Sequence, residues 1–248
     1  MKKLIAMIAL AWLPLGAFAA GGGQVELQAA NISLASEGAI QRGAKLFVNY
    51  CMGCHSAKYV RYKQLTKVGL SEEAIEDNLV FDPNAKVGDL MTIAMPEADA
   101  AKWFGAPPPD LTLAARVRHN GADWLYSYLK GFYVDDSRPL GVNNTVFPNV
   151  GMPHVLWELQ GIQKAVYKEV EHGGKTSQVI DHLELVEPGS MTPAEYDSAV
   201  RDLTTFLVYI SEPVKLERQR IGIWVLLFLA VFTVIAYFLK KNYWQDVH

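Results

Sequence analysis

The stretch Cys51-Met52-Gly53-Cys54-His55 contains both cysteines of this 248-residue chain. Two thiols at this spacing, with an imidazole directly after them, are the pattern of covalent haem attachment, in which both thiols bond the haem and the imidazole reaches the iron. Apolar residues recur at helical spacing just before the motif, at Ile40, Ala44 and Phe47. We therefore expect Cys51 and Cys54 to hold a haem from the end of a helix, with His55 as one axial ligand.

Two other uses of paired cysteines are weaker. A dithiol oxidoreductase carries its Cys-x-x-Cys at a helix start after a strand, and no strand-rich pattern precedes Cys51. A structural zinc site needs four ligands, and a second cysteine pair or a closely spaced histidine pair is missing. A membrane-tethered dithiol protein, cycling Cys51 and Cys54 as a disulfide, stays open as a rival.

The second axial position has few candidates. Met52 lies between the two tethering cysteines and cannot reach the opposite haem face, which leaves Met91, Met95, Met152 and Met191. Met91 and Met95 lie in a segment that could be helical, and Met191 precedes a helix start. Met152 follows a stretch rich in Gly, Asn and Pro, where a rigid loop can hold a thioether over the iron. The residues alone favour Met152, with Met95 and His154 as alternatives.

The two ends of the chain predict export and anchoring. Residues 1–19 begin with two lysines, continue as a short apolar run and end in Ala17-Phe18-Ala19, which is typical of a cleaved signal peptide. Residues 221–239 carry no charge and would span about 28 Å as a helix, close to a bilayer core of roughly 30 Å. We therefore expect a single-pass protein of the inner membrane.

These ends define the expected organisation. It comprises a periplasmic haem domain over residues 20–212, a charged hinge over 213–220 that begins at Pro213, the transmembrane anchor over 221–239 and a cytoplasmic tail over 240–248. Lysine and arginine flank both ends of the span almost equally, so the export signal decides the orientation. Helical periodicity over residues 123–130 and 192–210 predicts a mainly α fold, a c-type cytochrome haem domain with loop insertions.

Charge and composition exclude some partners. The formal net charge is -3, with 23 basic and 26 acidic residues, and half of the chain is hydrophobic, which argues against disorder and against a nucleic-acid partner. Residues 72–99 contain eight acids against the single base Lys86. Such a run is often only a solvated face, but it would also steer a small basic cytochrome to the haem edge.

An ordered set of further motifs, spread over most of the chain, supports the interpretation as a haem protein. Besides residues 51–55, it comprises Gln41-Arg42-Gly43, Tyr59, Arg61-Tyr62, Pro108-Pro109-Asp110-Leu111-Thr112, Ala115-Arg116-Val117-Arg118-His119, Phe147-Pro148 and Gly151-Met152-Pro153, followed by one C-terminal span. With this set the chain resembles the cytochrome c1 family, the membrane-anchored c-type haem subunits of the cytochrome bc1 (quinol:cytochrome c oxidoreductase) complex.

The resemblance implies a set of site residues. Cys51 and Cys54 form the thioether links to one haem c, and His55 and Met152 are the axial ligands. Arg118 and Trp124 correspond to an arginine and a tyrosine at the haem propionates, so Trp124 departs from the family pattern. The extended proline run that ends at Pro109 forms a wall at the haem edge. Some members have an extra disulfide near the haem, for which this chain has no further thiols.

The resemblance also implies a function. The chain is expected to carry single electrons from the Rieske iron-sulfur protein, after quinol oxidation at cytochrome b, to a soluble cytochrome c or an equivalent periplasmic acceptor. It would act as a subunit of a dimeric oxidoreductase and catalyse nothing alone. The alternative is a membrane-anchored monohaem cytochrome c of another respiratory assembly.

Overall fold

A computed structural model describes residues 26–172 and 175–245. The predicted signal peptide over residues 1–19 lies outside them. The α-helices are α1 (Glu37–Leu46), α2 (Glu72–Leu79), α3 (Glu97–Phe104), α4 (Ala114–Val117), α5 (Gly121–Lys130), α6 (Trp157–Gln160), α7 (Pro193–Ser211) and α8 (Lys215–Tyr243). The strands are β1 (Ala57–Arg61), β2 (Leu90–Met91), β3 (Phe132–Val134), β4 (Val142–Asn144), β5 (Gly161–His172) and β6 (Lys175–Pro188). The mainly helical expectation is confirmed.

The centre of the core is the crossing of α1 and α7. A Cβ atom at Gly43 would collide with the backbone of Asp202, so only glycine allows the two helices to approach this closely. Next to this contact, the guanidinium of Arg42 pairs with the carboxylate of Asp202 at 2.6 Å. Phe47 and Phe206 pack with ring centroids 5.3 Å apart. The crossing fixes the helical segment that leads into the cysteine motif.

Helix α7 begins as its sequence predicts. Thr192 accepts a hydrogen bond from the backbone of Glu195, whose carboxylate accepts one from the backbone of Thr192 in return. Pro193 occupies the first turn, where its missing N–H costs nothing. Farther along the chain, five apolar residues of α7 are buried as their spacing predicts: Val200, Leu203, Phe206, Leu207 and Ile210.

Helix α5 packs against α7 and ends where the sequence predicts, at Gly131. The hydroxyl of Tyr196 donates to the carbonyl oxygen of Leu129 at 2.9 Å. Lys130 forms an ion pair with Asp197 on α7. These contacts hold α5 in place against α7.

The largest insertion is a β-hairpin and was not predicted. Strands β5 and β6 pair antiparallel from Gly161 opposite Pro188 to His172 opposite Lys175, with two irregularities in register. Most of the side chains described along the hairpin are exposed or half-buried, and charged residues are interspersed among apolar ones. Because neither face is uniformly apolar, the alternation that identifies strands is weak in this segment.

Among the described residues, one helix is long and apolar enough to cross a membrane. It is α8, which has 29 residues and a mean hydropathy of 2.6 in its most apolar window, and that window is not buried by the rest of the structure. The predicted span over residues 221–239 lies within it. Most of the predicted hinge over residues 213–220 forms the first turns of this helix, because the chain is helical from Lys215 onward. The Lys, Leu, Glu, Arg and Gln residues there are all strong helix formers.

Candidate haem site

The cysteine motif follows α1 through a widened helical turn, a π-turn over Phe47–Cys51. The backbone N–H of Cys54 donates to the carbonyl oxygen of Cys51 at 3.0 Å, and that of His55 donates to the same oxygen at 2.9 Å. These two bonds coil the motif into a tight turn. Cys51 is buried and Cys54 is half-buried, and both are free thiols.

The environment of Cys51 disfavours dithiol chemistry. Burial raises the pKa of the Cys51 thiol to about 12, with a smaller contribution from Cys54. Dithiol oxidoreductases rely on a cysteine whose pKa is lowered, because the thiolate is the reactive form. A buried neutral thiol at this position fits a role as an attachment point better than a redox role.

The imidazole of His55 is oriented by the proline-rich segment. Its Nδ1 lies 2.7 Å from the carbonyl oxygen of Pro109, so Nδ1–H donates and Nε2 keeps its lone pair. Burial lowers the pKa of His55 below 6.5, outweighing the opposite effects of the Pro109 hydrogen bond and the Asp110 charge. The ring is thus neutral near pH 7, as an iron ligand must be.

Asp110 fastens this proline-rich segment to the strand that follows the motif. Its carboxylate accepts hydrogen bonds from the backbone N–H of Lys58 at 2.7 Å and of Thr112 at 3.0 Å. The N–H of Leu111 donates to the carbonyl oxygen of Ser56 at 2.9 Å. These bonds hold the next three residues beside β1. As a result, the carbonyl of Pro109 faces His55.

Arg118 and Trp124 are brought together. The guanidinium carbon of Arg118 lies 3.8 Å from the centroid of the Trp124 ring. One helical turn farther on, the ring of Tyr128 stacks on the ring of Trp124. The two centroids are 4.8 Å apart and the planes are nearly parallel, at 12°. An exposed arginine with an indole beneath it can present its N–H groups to a carboxylate.

Met152 lies beside the same helix. The hydroxyl of Tyr128 is 3.4 Å from the Sδ atom of Met152 and donates to it. Burial raises the pKa of Tyr128 to about 12, against a small opposite effect of Arg118, so the hydroxyl stays protonated. The thioether is half-buried on the surface that also carries Trp124.

Two buried asparagines shape the loop that ends at Met152. Asn144 donates to the carbonyl oxygen of Tyr128 at 2.7 Å, and its own amide oxygen accepts from the N–H groups of Val146 and Phe147 at 2.9 and 3.1 Å. Asn143 accepts from the N–H of Asn149 at 2.8 Å. The loop is thus tied to α5 by side chains that replace missing backbone partners.

The other candidates for the second axial position have different surroundings. Met91 is fully buried in β2, so the helix suggested for residues 91–95 is not formed. His154 is buried, and its ring stacks on Phe132 at 4.9 Å, nearly parallel. Met95 is half-buried in a loop.

The residues around the motif fit a haem. Three apolar side chains near them stay exposed: Leu113 by 44%, Val117 by 73% and Phe147 by 47%. Exposed apolar groups in the segments that carry Pro109, Arg118 and Met152 are suited to cover a porphyrin. Among residues 26–172 and 175–245, no cluster of three or more His, Cys, Asp or Glu side chains could hold a bare metal ion.

Comparison with known proteins agrees with this chemistry. The model of the cytochrome C1 family matches residues 32–247. The chain belongs to the cytochrome c1 family. It is 53% identical to cytochrome c1 of Allochromatium vinosum over the full length of both proteins. As a member of this family it is an electron-transport protein with one covalently bound haem c.

Two further relatives carry other names. The chain is 44% identical to the protein named ammonia monooxygenase gamma subunit in Nitrosomonas europaea, over 92% of this chain and 91% of that one. It is 27% identical to the mitochondrial cytochrome b-c1 complex catalytic subunit of Candida albicans, over 84% of this chain and 72% of that protein.

Sequence reasoning missed three residues of the site. Tyr128 lies one turn after Trp124 on the same helix face, and this position was the signal for it. Asn143 and Asn144 were not singled out at all. Their signal was the pair of adjacent asparagines before a turn-rich loop, a residue type that often bonds nearby backbone groups.

Proposed function

We propose that the chain is the haem subunit of a cytochrome bc1 complex and passes single electrons from the Rieske iron-sulfur protein to a soluble periplasmic cytochrome or an equivalent acceptor. When bound, haem c supplies an iron that alternates between the ferric and ferrous states. The observation that carries the proposal is the His55 imidazole whose tautomer is fixed by the carbonyl of Pro109, within a family whose named members include a subunit of the cytochrome b-c1 complex.

The proposal assigns a role to each site residue. Cys51 and Cys54 form the thioether links, while His55 and Met152 are the axial ligands. Methionine ligation favours the ferrous state and therefore gives a higher potential than two histidines would. Arg118, supported by the ring of Trp124, binds a propionate, since a guanidinium matches a carboxylate. Pro109 orients His55 through its carbonyl, and its ring forms a wall at the haem edge.

The proposed placement follows from the two ends of the chain. The signal peptide over residues 1–19 exports the haem domain of residues 20–212 to the periplasm. Helix α8 anchors it in the inner membrane next to cytochrome b, and residues 240–248 lie in the cytoplasm. Two copies of each subunit form the complex. An electron acceptor in the periplasm is then on the same side as the haem.

A second candidate function is supported by a specific finding. The relative named ammonia monooxygenase gamma subunit covers nearly the whole chain at 44% identity. A membrane-anchored monohaem cytochrome c serving another respiratory assembly would keep every residue of the site described above. It would differ in lacking stable association with cytochrome b.

An optical redox difference spectrum of the protein, purified in mild detergent from its own membranes, separates these functions. Bands of both c-type and b-type haem are expected for the bc1 complex. A c-type band alone would favour the other assembly. The absence of any haem, checked by haem stain on a denaturing gel, would revive the dithiol alternative, because thioether-linked haem survives denaturation.

The axial ligand has its own test. Met152→His should keep the haem attached, lower the reduction potential and abolish the long-wavelength sulfur-to-iron absorption of the oxidised protein. The matched control is Met191→His, at a half-buried methionine just before α7. If the absorption survives in Met152→His, the ligand is another residue, with Met95 and His154 the next to be substituted.

A further inference from the structure

The hydroxyl of Tyr128 is the nearest polar partner of the Met152 sulfur. The two atoms are 3.4 Å apart, and the hydroxyl must donate because a thioether can only accept. A thioether sulfur has two lone pairs, so one can bind iron while the other accepts this hydrogen bond. In the part of the chain that the structure describes, no second hydrogen bond to this sulfur occurs.

The position of the hydroxyl is fixed independently of Met152. One face of the Tyr128 ring stacks on Trp124 at 4.8 Å, and Phe132 meets it edge-on at 5.3 Å and 69°. The backbone carbonyl of Tyr128 accepts the hydrogen bond from Asn144 that ties the loop to α5. Packing and backbone bonding thus hold the donor in place independently of the Met152 sulfur.

We propose that Tyr128 is a positioning residue that raises the reduction potential of the haem through the Met152 sulfur. Its hydrogen bond draws electron density from the sulfur and makes it a poorer donor. Ferric iron, which carries the larger positive charge, loses more from a poorer donor than ferrous iron does, so the reduced state is favoured. The same bond fixes which lone pair of the sulfur faces the iron. The inference rests on the proposed assignment of Met152 as an axial ligand.

The test is a redox titration of Tyr128→Phe in the intact membrane complex. Phenylalanine keeps the ring that packs on Trp124 and removes only the donor. At a fixed solution potential, the ratio of reduced to oxidised haem should fall by at least about threefold. That is about 28 mV, since tenfold corresponds to about 59 mV for one electron. The sulfur-to-iron absorption should persist.

The matched control is Tyr126→Phe on the same helix. Its hydroxyl accepts a hydrogen bond from Lys130 at 3.3 Å, and no hydrogen bond joins it to Met152 within the described residues. This variant should titrate like the wild type. If Tyr128→Phe also titrates like the wild type while its sulfur-to-iron absorption is intact, the inference is overturned.

Failure of the inference can be told from failure of the ligand assignment. If the wild type lacks the sulfur-to-iron absorption, Met152 is not a ligand and the proposed site is wrong. If Tyr128→Phe does not retain haem, proton NMR of the reduced wild type decides instead. A nuclear Overhauser contact between the Tyr128 hydroxyl proton and the Met152 methyl group is expected, and its absence would overturn the inference.

Discussion

The Nδ1 atom of His55 and the carbonyl oxygen of Pro109 are 2.7 Å apart, although 54 residues separate them in the chain. The bond joins the cysteine motif to the proline-rich segment and selects the tautomer of the imidazole. Because a backbone carbonyl accepts this bond, no side-chain substitution at Pro109 removes it directly. The residue that holds the carbonyl in place is Asp110.

Asp110→Ala should therefore loosen the orientation of His55 indirectly. It deletes the acceptor for the backbone N–H groups of Lys58 and Thr112. We expect the free energy of unfolding to fall by about 1–2 kcal/mol, at roughly 1 kcal/mol per hydrogen bond. Denaturant unfolding of the purified protein, followed by its haem absorption, measures this. Asp77→Ala, at an exposed position on α2, is the control and should change stability by less than about 0.5 kcal/mol.

Asn144→Ala should release the Met152 loop. The substitution leaves the N–H groups of Val146 and Phe147 and the carbonyl of Tyr128 without this partner. We expect a loss of about 3 kcal/mol in the free energy of unfolding, because three hydrogen bonds of roughly 1 kcal/mol each are lost.

The readout for Asn144→Ala is the temperature at which the sulfur-to-iron absorption disappears. It should disappear well below the temperature at which helicity is lost, because the loop detaches before the domain unfolds. Asn78→Ala, which removes a single bond to the backbone of Ala74 on α2, is the control. A Met152 loop that stays as stable in Asn144→Ala as in this control would contradict the role given to Asn144.

Much of the site could be predicted because its chemistry is local. The two thiols and His55 lie within five consecutive residues. The capping residues Thr192 and Glu195 indicate the start of α7. The helix over residues 121–130 differs from its prediction by two residues at the N-terminal end. Local spacing and propensity are sufficient for such features.

The rest depends on contacts between distant segments. Tyr128 and Met152 are 24 residues apart, and nothing in local spacing shows that their side chains meet. The hairpin over residues 161–188 is stabilised by pairing between its strands, which a mixed pattern of charged and apolar residues conceals. Pro213 begins the predicted charged hinge, yet a helix resumes two residues later because the residues that follow favour it.

The acidic segment over residues 72–99 can be tested as a docking surface. Glu72 is paired with Lys63 at 2.7 Å, so much of its charge is already compensated, whereas Glu76 is exposed and forms no ion pair within the described residues. Glu76→Lys should slow electron transfer to a basic soluble cytochrome at low salt. The effect should shrink as salt screens the charges.

Stopped-flow kinetics at several ionic strengths measure the effect of Glu76→Lys. The control is Glu184→Lys on the hairpin, which makes the same change of charge at another exposed position. If both variants slow the reaction equally, only the net charge matters. If neither does, the segment is an ordinary solvated face.

The ion pair between α5 and α7 predicts a dependence of stability on pH. Asp197 contacts Lys130, Arg201 and the hydroxyl of Tyr126. Burial raises the pKa of Asp197, but the hydrogen bonds and the positive charges of Lys130 and Arg201 together bring it below 3.8. A carboxyl whose pKa is lower in the folded state stabilises the protein fully above the unfolded pKa, and this stabilisation is lost as pH falls through the folded value.

Asp197→Asn should therefore cost about 1 kcal/mol at pH 7, a modest amount because the pair is partly exposed to solvent. As the pH falls from 5 to 2, the stability of the wild type should approach that of the variant, since protonation removes the same charge. Thermal unfolding of both proteins across this range measures the difference. Glu73→Gln, at an exposed carboxylate on α2, should stay parallel to the wild type. A constant difference between Asp197→Asn and the wild type at every pH would show that the charge of Asp197 does not stabilise the contact between α5 and α7.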